Sequence, residues 1–133
     1  MLLLIDFGLL VLIWMVQLLI YPSFLYFQSS DLLKWHHAYT PRITFIVLPM
    51  MLFQLLAHSW NVYASFSIVN VLLCVIVFAT WLVTFLISVP LHHKIASNVA
   101  MKDACKLLIK TNWIRTVLWS FVFILHLLEE GIV

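Results

Sequence analysis

Two arginines stand at the edges of apolar segments, where a guanidinium is costly unless it has a partner. Arg115 lies a turn or so inside the last apolar segment, and no acid shares its helix face at that depth. Arg42 begins an earlier apolar segment at the same expected depth. Two such charges favour an anionic or electron-rich ligand, for example a lipid phosphate, a carboxylate or a quinone-type carbonyl. The alternative is that both arginines bind bulk phospholipid and fix the depth of their helices.

Neighbouring side chains supply acid–base groups for such a ligand. His92 is predicted to act as a general base, while Asn112 and the two arginines stabilise a developing oxyanion. Other aromatic and amide side chains are predicted to line an apolar ligand pocket. These ligand-binding candidates are Tyr21, Gln17, Tyr39, Trp81 and Trp119, together with Arg42.

Six histidines in 133 residues are a second chemical signal. The adjacent pairs His36-His37 and His92-His93 could hold a transition metal, because imidazole suits copper, zinc or iron. Adjacent histidines point in different directions on a helix, however, and no Cys-x-x-Cys, His-Glu-x-x-His or Glu-x-x-His spacing accompanies them. One hypothesis is therefore that these four histidines bind a metal, and the other is that they form no metal site.

His58 and His126 lie near the C-terminal ends of their segments, at matching depths, and could bind a haem iron as its two axial ligands. The alternative is a pair of hydrogen-bonded interfacial histidines. His58 follows Arg42 by about 160° around an ideal helix, so only one of the two is expected to face inward. The chain offers no Ser/His/Asp order, Gly-rich phosphate loop or carboxylate pair, which excludes most hydrolase and phosphotransferase templates.

The elements that must position these residues are membrane spans. Hydrophobic residues make up 65% of the chain and charged residues 9%, a composition typical of an integral membrane protein. Four stretches are long enough to cross a bilayer: Leu2–Tyr26, Ile43–His58, Phe66–Val89 and Ile114–Leu128. Short connections between them predict an all-α, up-down four-helix bundle that forms one domain over residues 1–133.

Short interfacial helices are expected on one side of this bundle. Pro41 is expected to separate such a helix at Leu32–Tyr39 from the second span, and Pro90 is expected to end the third. A further amphipathic helix is predicted between Ala96 and Lys110. Cys105 on that helix is expected to be accessible to thiol reagents.

The distribution of charge predicts the orientation. One side of the membrane holds all the basic residues, while the other holds Asp6, Glu129 and Glu130. By the positive-inside rule the basic side is cytoplasmic. The protein is therefore predicted to be integral to the cytoplasmic (inner) membrane, with both termini on the extracytoplasmic side. The basic residues are Lys34, Arg42, Lys94, Lys102, Lys106, Lys110 and Arg115.

Three short motifs resemble those of a known group of proteins. They are Tyr21-Pro22-Ser23-Phe24, Pro90-Leu91-His92 and Asn112-Trp113-Ile114-Arg115-Thr116. Together they resemble a family of small bacterial four-span proteins and are similar to the anthrone-oxygenase-like membrane family. That resemblance implies a four-span fold, a site at Asn112, Arg115 and His92, and cofactor-free oxygenation of a polycyclic phenol. This chain has His92 where the anthrone-oxygenase pattern often has Asn.

These observations predict a membrane-embedded bundle that binds a lipophilic or anionic ligand at a His/Arg/Asn cluster. Oxidoreductase activity on an aromatic or quinol-type substrate is one extension of this prediction. The alternatives are a non-enzymatic assembly protein that binds haem, a metal or lipid, and a subunit of a small transporter. Expected partners are membrane lipids, a hydrophobic small molecule and a second copy of the chain, with no nucleic acid. The sequence leaves open whether the cofactor is haem, a metal or none.

Overall fold

The computed structural model describes residues 1–131 and consists of four long helices. They are α1 (Leu2–Ser23), α2 (Ser29–Ala64), α3 (Ile68–Ala96) and α4 (Met101–Glu129), and each is long and apolar enough to cross a bilayer. Each helix packs against its neighbours in sequence, and α1 also packs against α4, which closes the bundle. The prediction of an all-α four-helix bundle is confirmed. The predicted single domain also includes residues 132–133, which lie outside the described residues.

Apolar side chains cover the outside of the bundle as well as its core. Leu4, Phe45 and Leu86 are each more than 70% exposed, whereas soluble monomers rarely expose large contiguous apolar patches. The interior, by contrast, contains many polar groups. On α4 one stripe at helical spacing is buried throughout, and it consists of Asn112, Arg115, Thr116, Trp119, Val122 and His126.

Two helices change from α to π geometry for one turn. The π segments are Val16–Ile20 in α1 and Thr84–Ser88 in α3, and each ends two residues before a proline. Pro22 and Pro90 lack an N–H and cannot bond the carbonyl four residues earlier, which favours a local change of hydrogen-bond register. The π segments contain the buried polar residues Gln17 and Ser88.

The segments expected to be separate interfacial helices are helical, but they are continuous with the spans. Helix α2 runs without a break through Pro41 and Pro49 for 36 residues, about 54 Å. Both prolines lie on its exposed face, and the buried side chains on the opposite face hold the helix together. Helix α3 likewise passes Pro90 and ends at Ala96.

The first turns of α4 show a second difference from expectation. Cys105 was expected to be accessible, but it is 1% exposed and belongs to the same core cluster as Leu91 and Ile95. The lysines of this segment occupy the outer face, so its apolar face packs against the end of α3.

Candidate functional site

A cavity opens among the helices at the end of the bundle that carries the connections 24–28 and 97–100. We call this the basic end, because Lys34, Lys94 and Lys102 lie near it, and the opposite end, with Asp6 and Glu130, the acidic end. The cavity has a volume of about 510 Å³ and is open on one side. Its walls are mainly apolar, and its polar lining includes Tyr21, His36, Tyr39, Ser88, His92 and Arg115.

Three of these side chains form a chain of hydrogen bonds. The Tyr21 hydroxyl lies 3.0 Å from His92 Nε2, and His92 Nδ1 lies 2.8 Å from His36 Nε2. Both nitrogens of His92 are therefore occupied, and its ring must donate through one of them and accept through the other. Such a chain can pass a proton between the Tyr21 hydroxyl and His36 by changing the tautomer of His92.

Arg115 contributes a positive charge to the cavity wall. Its side chain is largely buried, its Nη1 donates to Ser88 Oγ over 3.1 Å, and its guanidinium lies 5.2 Å from the centre of the Trp119 ring. Among residues 1–131 no carboxylate oxygen lies within 4.0 Å of it, and its buried Nε has no hydrogen-bond partner. The π face of Trp119 and the hydroxyl of Ser88 offset only part of the cost of burying the Arg115 charge.

Two other predicted site residues lie beside the cavity and do not line it. Asn112 Nδ2 donates to Gln17 Oε1 over 2.9 Å, and Gln17 Nε2 donates to the Ile109 carbonyl over 3.3 Å. The pair joins the π segment of α1 to α4. Of the three predicted catalytic residues, His92 and Arg115 therefore face the cavity, while Asn112 does not line it and bonds to Gln17 through its Nδ2.

Arg42 does not join the other predicted ligand-binding residues. It is exposed, and it follows the buried His36 by six residues, which places it about 120° around α2 from that side chain. His58 on the same helix is buried, so of these two side chains only the histidine faces inward, as their spacing predicts. Trp81 and Trp119 pack within the bundle but do not line the cavity, whereas Tyr39 does.

The structure divides the four histidines proposed as metal ligands. His36 and His92 bond to each other, while His37 and His93 are exposed at the rim of the cavity. No third histidine, cysteine or carboxylate in the described part of the chain joins the His36–His92 pair in a metal-binding geometry. Their own hydrogen bonds account for these two residues without a metal.

His58 and His126 meet at the acidic end, but around a carboxylate. His58 Nε2 lies 3.3 Å and His126 Nδ1 2.5 Å from Asp6 Oδ2, and Gln54 Nε2 donates to Asp6 Oδ1 over 2.7 Å. The two imidazole rings are 5.4 Å apart, centre to centre. A porphyrin cannot enter between rings that share one carboxylate, so this arrangement does not suit the proposed axial ligation of haem.

Asp6 and Gln54 are buried polar residues that were not predicted to belong to a site. Asp6 entered the predictions only as one of the acidic residues on the outer side, although it stands within the first apolar stretch. An ionisable residue inside a membrane span indicates a functional site by default. Gln54 precedes His58 by one helical turn, which was the available signal that the two share a face.

Comparisons with protein-family models, with curated proteins and with solved structures found no match to this chain. The resemblance to the anthrone-oxygenase-like family therefore stays a prediction.

Proposed function

We propose that this protein is a membrane-embedded binding protein for a lipophilic ligand that carries an anionic or electron-rich oxygen. The observation that supports this most strongly is Arg115, a largely buried guanidinium on the cavity wall without a carboxylate partner in the described chain. A phosphate, carboxylate or quinone-type oxygen bound there would accept from its fork of N–H groups.

The remainder of the cavity suits the apolar part of such a ligand. Its walls include Leu12, Val47, Met51, Phe85 and Val89, which come from three helices. Ligand sites of this kind are mostly apolar, with a few convergent polar groups that fix orientation. The ligand oxygen would lie toward Arg115 and Ser88, and the ring or chain would lie against these side chains.

Tyr21 gives the proposed site a route for protons. His92 uses both nitrogens within the protein, so it acts on a ligand through the Tyr21 hydroxyl or after giving up one of its bonds. The predicted role of His92 as a direct general base is thus changed to that of a relay between Tyr21 and His36. A quinol or phenol that loses its hydroxyl proton could use this relay.

We place the cavity on the cytoplasmic side of the inner membrane. The lysines lie on the helix segments that flank the connections at the basic end, and by the positive-inside rule such a basic end is retained in the cytoplasm. The exposed apolar surface along the bundle supports insertion in the bilayer. A ligand could then enter sideways from lipid or from the cytoplasmic surface.

Binding of two probes to the purified protein in detergent tests this function. A decyl-substituted benzoquinone and a short-chain phosphatidic acid represent the carbonyl and phosphate classes, and quenching of tryptophan fluorescence and native mass spectrometry report binding. Arg115→Leu should reduce the affinity for the bound probe by at least about tenfold, because loss of a hydrogen bond to a charged group costs about 1.5–3 kcal/mol. Arg115→Lys should give an intermediate affinity, because lysine keeps the charge without the planar fork.

Arg42→Leu is the matched control, because it removes an exposed arginine on the basic half of the chain. It should leave probe affinity unchanged. Equal affinities for the wild type and Arg115→Leu, or equal losses in both variants, would show that Arg115 only fixes the depth of its helix.

The hydrogen-bonded relay also favours a second, narrower function, an oxidoreductase acting on an aromatic hydroxyl compound. Its test is turnover of anthrone by the purified protein in air, followed by absorbance and by oxygen uptake. Tyr21→Phe should abolish this turnover while it retains probe binding. Absence of turnover in the wild type would contradict the oxidoreductase function and leave ligand binding as the proposed function.

A further inference from the structure

The cluster at the acidic end has the composition of a metal site. Asp6, His58 and His126 each place one ligand atom within 4.8 Å of the others, and all three residues are at most 4% exposed. Two imidazoles and one carboxylate form the set found in many iron(II) and zinc proteins. It is the one group of three such ligands in the part of the chain that the structure describes.

From this geometry we infer that Asp6, His58 and His126 bind a divalent first-row transition-metal ion at the acidic end of the bundle. The site is separate from the cavity at the basic end and independent of the function proposed for it. Three properties of the cluster favour a metal ion: the spacing of the ligand atoms, the balance of charge and the supporting hydrogen bonds.

Two of the three pairs of ligand atoms lie close to the spacing that a metal requires, and all three atoms lie within 4.8 Å of one another. Bonds of about 2.1 Å place neighbouring ligand atoms about 3.0 to 3.4 Å apart in octahedral or tetrahedral geometry. His58 Nε2 lies 3.3 Å from Asp6 Oδ2, within that range. His126 Nδ1 lies 2.5 Å from the same oxygen, so the metal needs an outward shift of this ring by less than an ångström.

The local charges favour a divalent cation. Asp6 is a carboxylate within the bundle, where an uncompensated charge is strongly unfavourable. Glu130 Oε1 lies 3.6 Å from His126 Nε2, on the side of the ring away from Asp6. A divalent ion bound by two neutral imidazoles would balance these two carboxylates, which lie on either side of His126.

Outer hydrogen bonds hold the cluster in place. Gln54 Nε2 donates to Asp6 Oδ1 over 2.7 Å, and Trp119 Nε1 donates to Gln54 Oε1 over 3.1 Å. Such partners orient metal ligands, and their loss commonly reduces metal affinity by about 10- to 100-fold. A cleft lined by Trp60, Asn61, His126 and Glu130 gives an entry path from the acidic end.

Titration with Co²⁺ tests the site directly. The purified, chelator-treated protein in detergent should bind one equivalent of Co²⁺, develop visible d–d absorption bands and lose them when Zn²⁺ is added. Replacement of any one ligand, as in His58→Ala, His126→Ala or Asp6→Asn, should weaken binding by at least about tenfold. A wild-type protein that gains no Co²⁺ absorption and binds no stoichiometric metal would overturn the inference without any variant.

His92→Ala and His93→Ala are the matched controls at the other end of the bundle. Both should bind Co²⁺ as the wild type does, and loss of binding in His92→Ala would assign the metal to the basic-end histidines instead. If a variant at a metal ligand does not fold, electron paramagnetic resonance of the Cu²⁺-loaded wild type tests the site instead. Two coordinated imidazole nitrogens are expected, and a spectrum without nitrogen coupling contradicts the site.

Discussion

Trp119 donates its indole N–H to the side-chain oxygen of Gln54 over 3.1 Å. The same ring lies beneath the Arg115 guanidinium at 5.2 Å, while Gln54 donates to Asp6. One tryptophan therefore contacts Arg115 on the cavity wall at the basic end and Gln54, which bonds to the carboxylate of the cluster at the acidic end. This path of contacts runs through the core and joins α1, α2 and α4.

The bond between Trp119 and Gln54 should contribute measurably to stability. Trp119→Phe keeps an aromatic ring beneath Arg115 but leaves Gln54 Oε1 buried without a donor, which costs about 1–3 kcal/mol. Gln54→Leu should also destabilise the protein, and the double variant should lose less than the sum of the two. Stability is measured by unfolding in sodium dodecyl sulfate, with the half-exposed Trp113→Phe as the control. Strictly additive losses would show that the two side chains do not interact.

His92 and His93 are adjacent residues with opposite surroundings. His92→Ala should leave the Tyr21 hydroxyl and His36 Nε2 without their partner, at a cost of about 1–3 kcal/mol. His93 is exposed and forms no side-chain hydrogen bond within residues 1–131, so His93→Ala should change stability by no more than about 0.5 kcal/mol. Thermal unfolding in one detergent compares the two, and equal melting temperatures would contradict the proposed relay.

Cys105 should resist thiol reagents although it lies near the lysine-rich end of α4. In a Cys74→Ser background a membrane-impermeant maleimide should label Cys105 only after denaturation, because the native side chain is in the core. Ser97→Cys, in the exposed connection before α4, is the positive control and should react within the same time. Rapid labelling of native Cys105 would show that the first turns of α4 separate from the bundle.

The sequence was sufficient to predict which side chains of a helix face the interior, but not which side chains of other helices they contact. The inward position of His58, the outward position of Arg42 and the buried stripe of α4 all follow from helical periodicity. Asp6 meets His126 across 120 positions of sequence, and periodicity alone does not tell which faces of α1 and α4 meet.

Local rules were also overridden at the prolines. Pro41 and Pro90 were expected to end helices, yet both lie on exposed faces of helices whose other faces are packed along their length. Packing outweighed the loss of one hydrogen bond in each case. The π segments that deliver Gln17 and Ser88 to the interior could not be predicted, because they depend on how each helix accommodates its proline while packed.

The connection before α4 contains a residue in an unfavourable backbone conformation. Ala100 has φ 45° and ψ 43°, in the left-handed region, which costs an L-residue about 1–2 kcal/mol. Ala100→Gly should therefore maintain or raise the melting temperature. Ala79→Gly, within α3, should lower it, because glycine costs about 1 kcal/mol in a helix interior. A lower melting temperature in both variants would show that Ala100 is not strained.

The orientation of the bundle decides which compartment each site faces. The lysines flank the connections at the basic end, and the positive-inside rule predicts that this end lies in the cytoplasm, so the cavity should face the cytoplasm and the Asp6 cluster the opposite side. Alkaline phosphatase, which is active only outside the cytoplasm, should be active when fused after Val133, a residue that lies outside the described part of the chain. The same enzyme inserted after Asn98, in the connection between α3 and α4, should be inactive, and a fluorescent protein that folds in the cytoplasm should be bright there. The reverse pattern would show that the bundle has the opposite orientation. A metal ion would then enter from the cytoplasm, and the cavity would face the extracytoplasmic side.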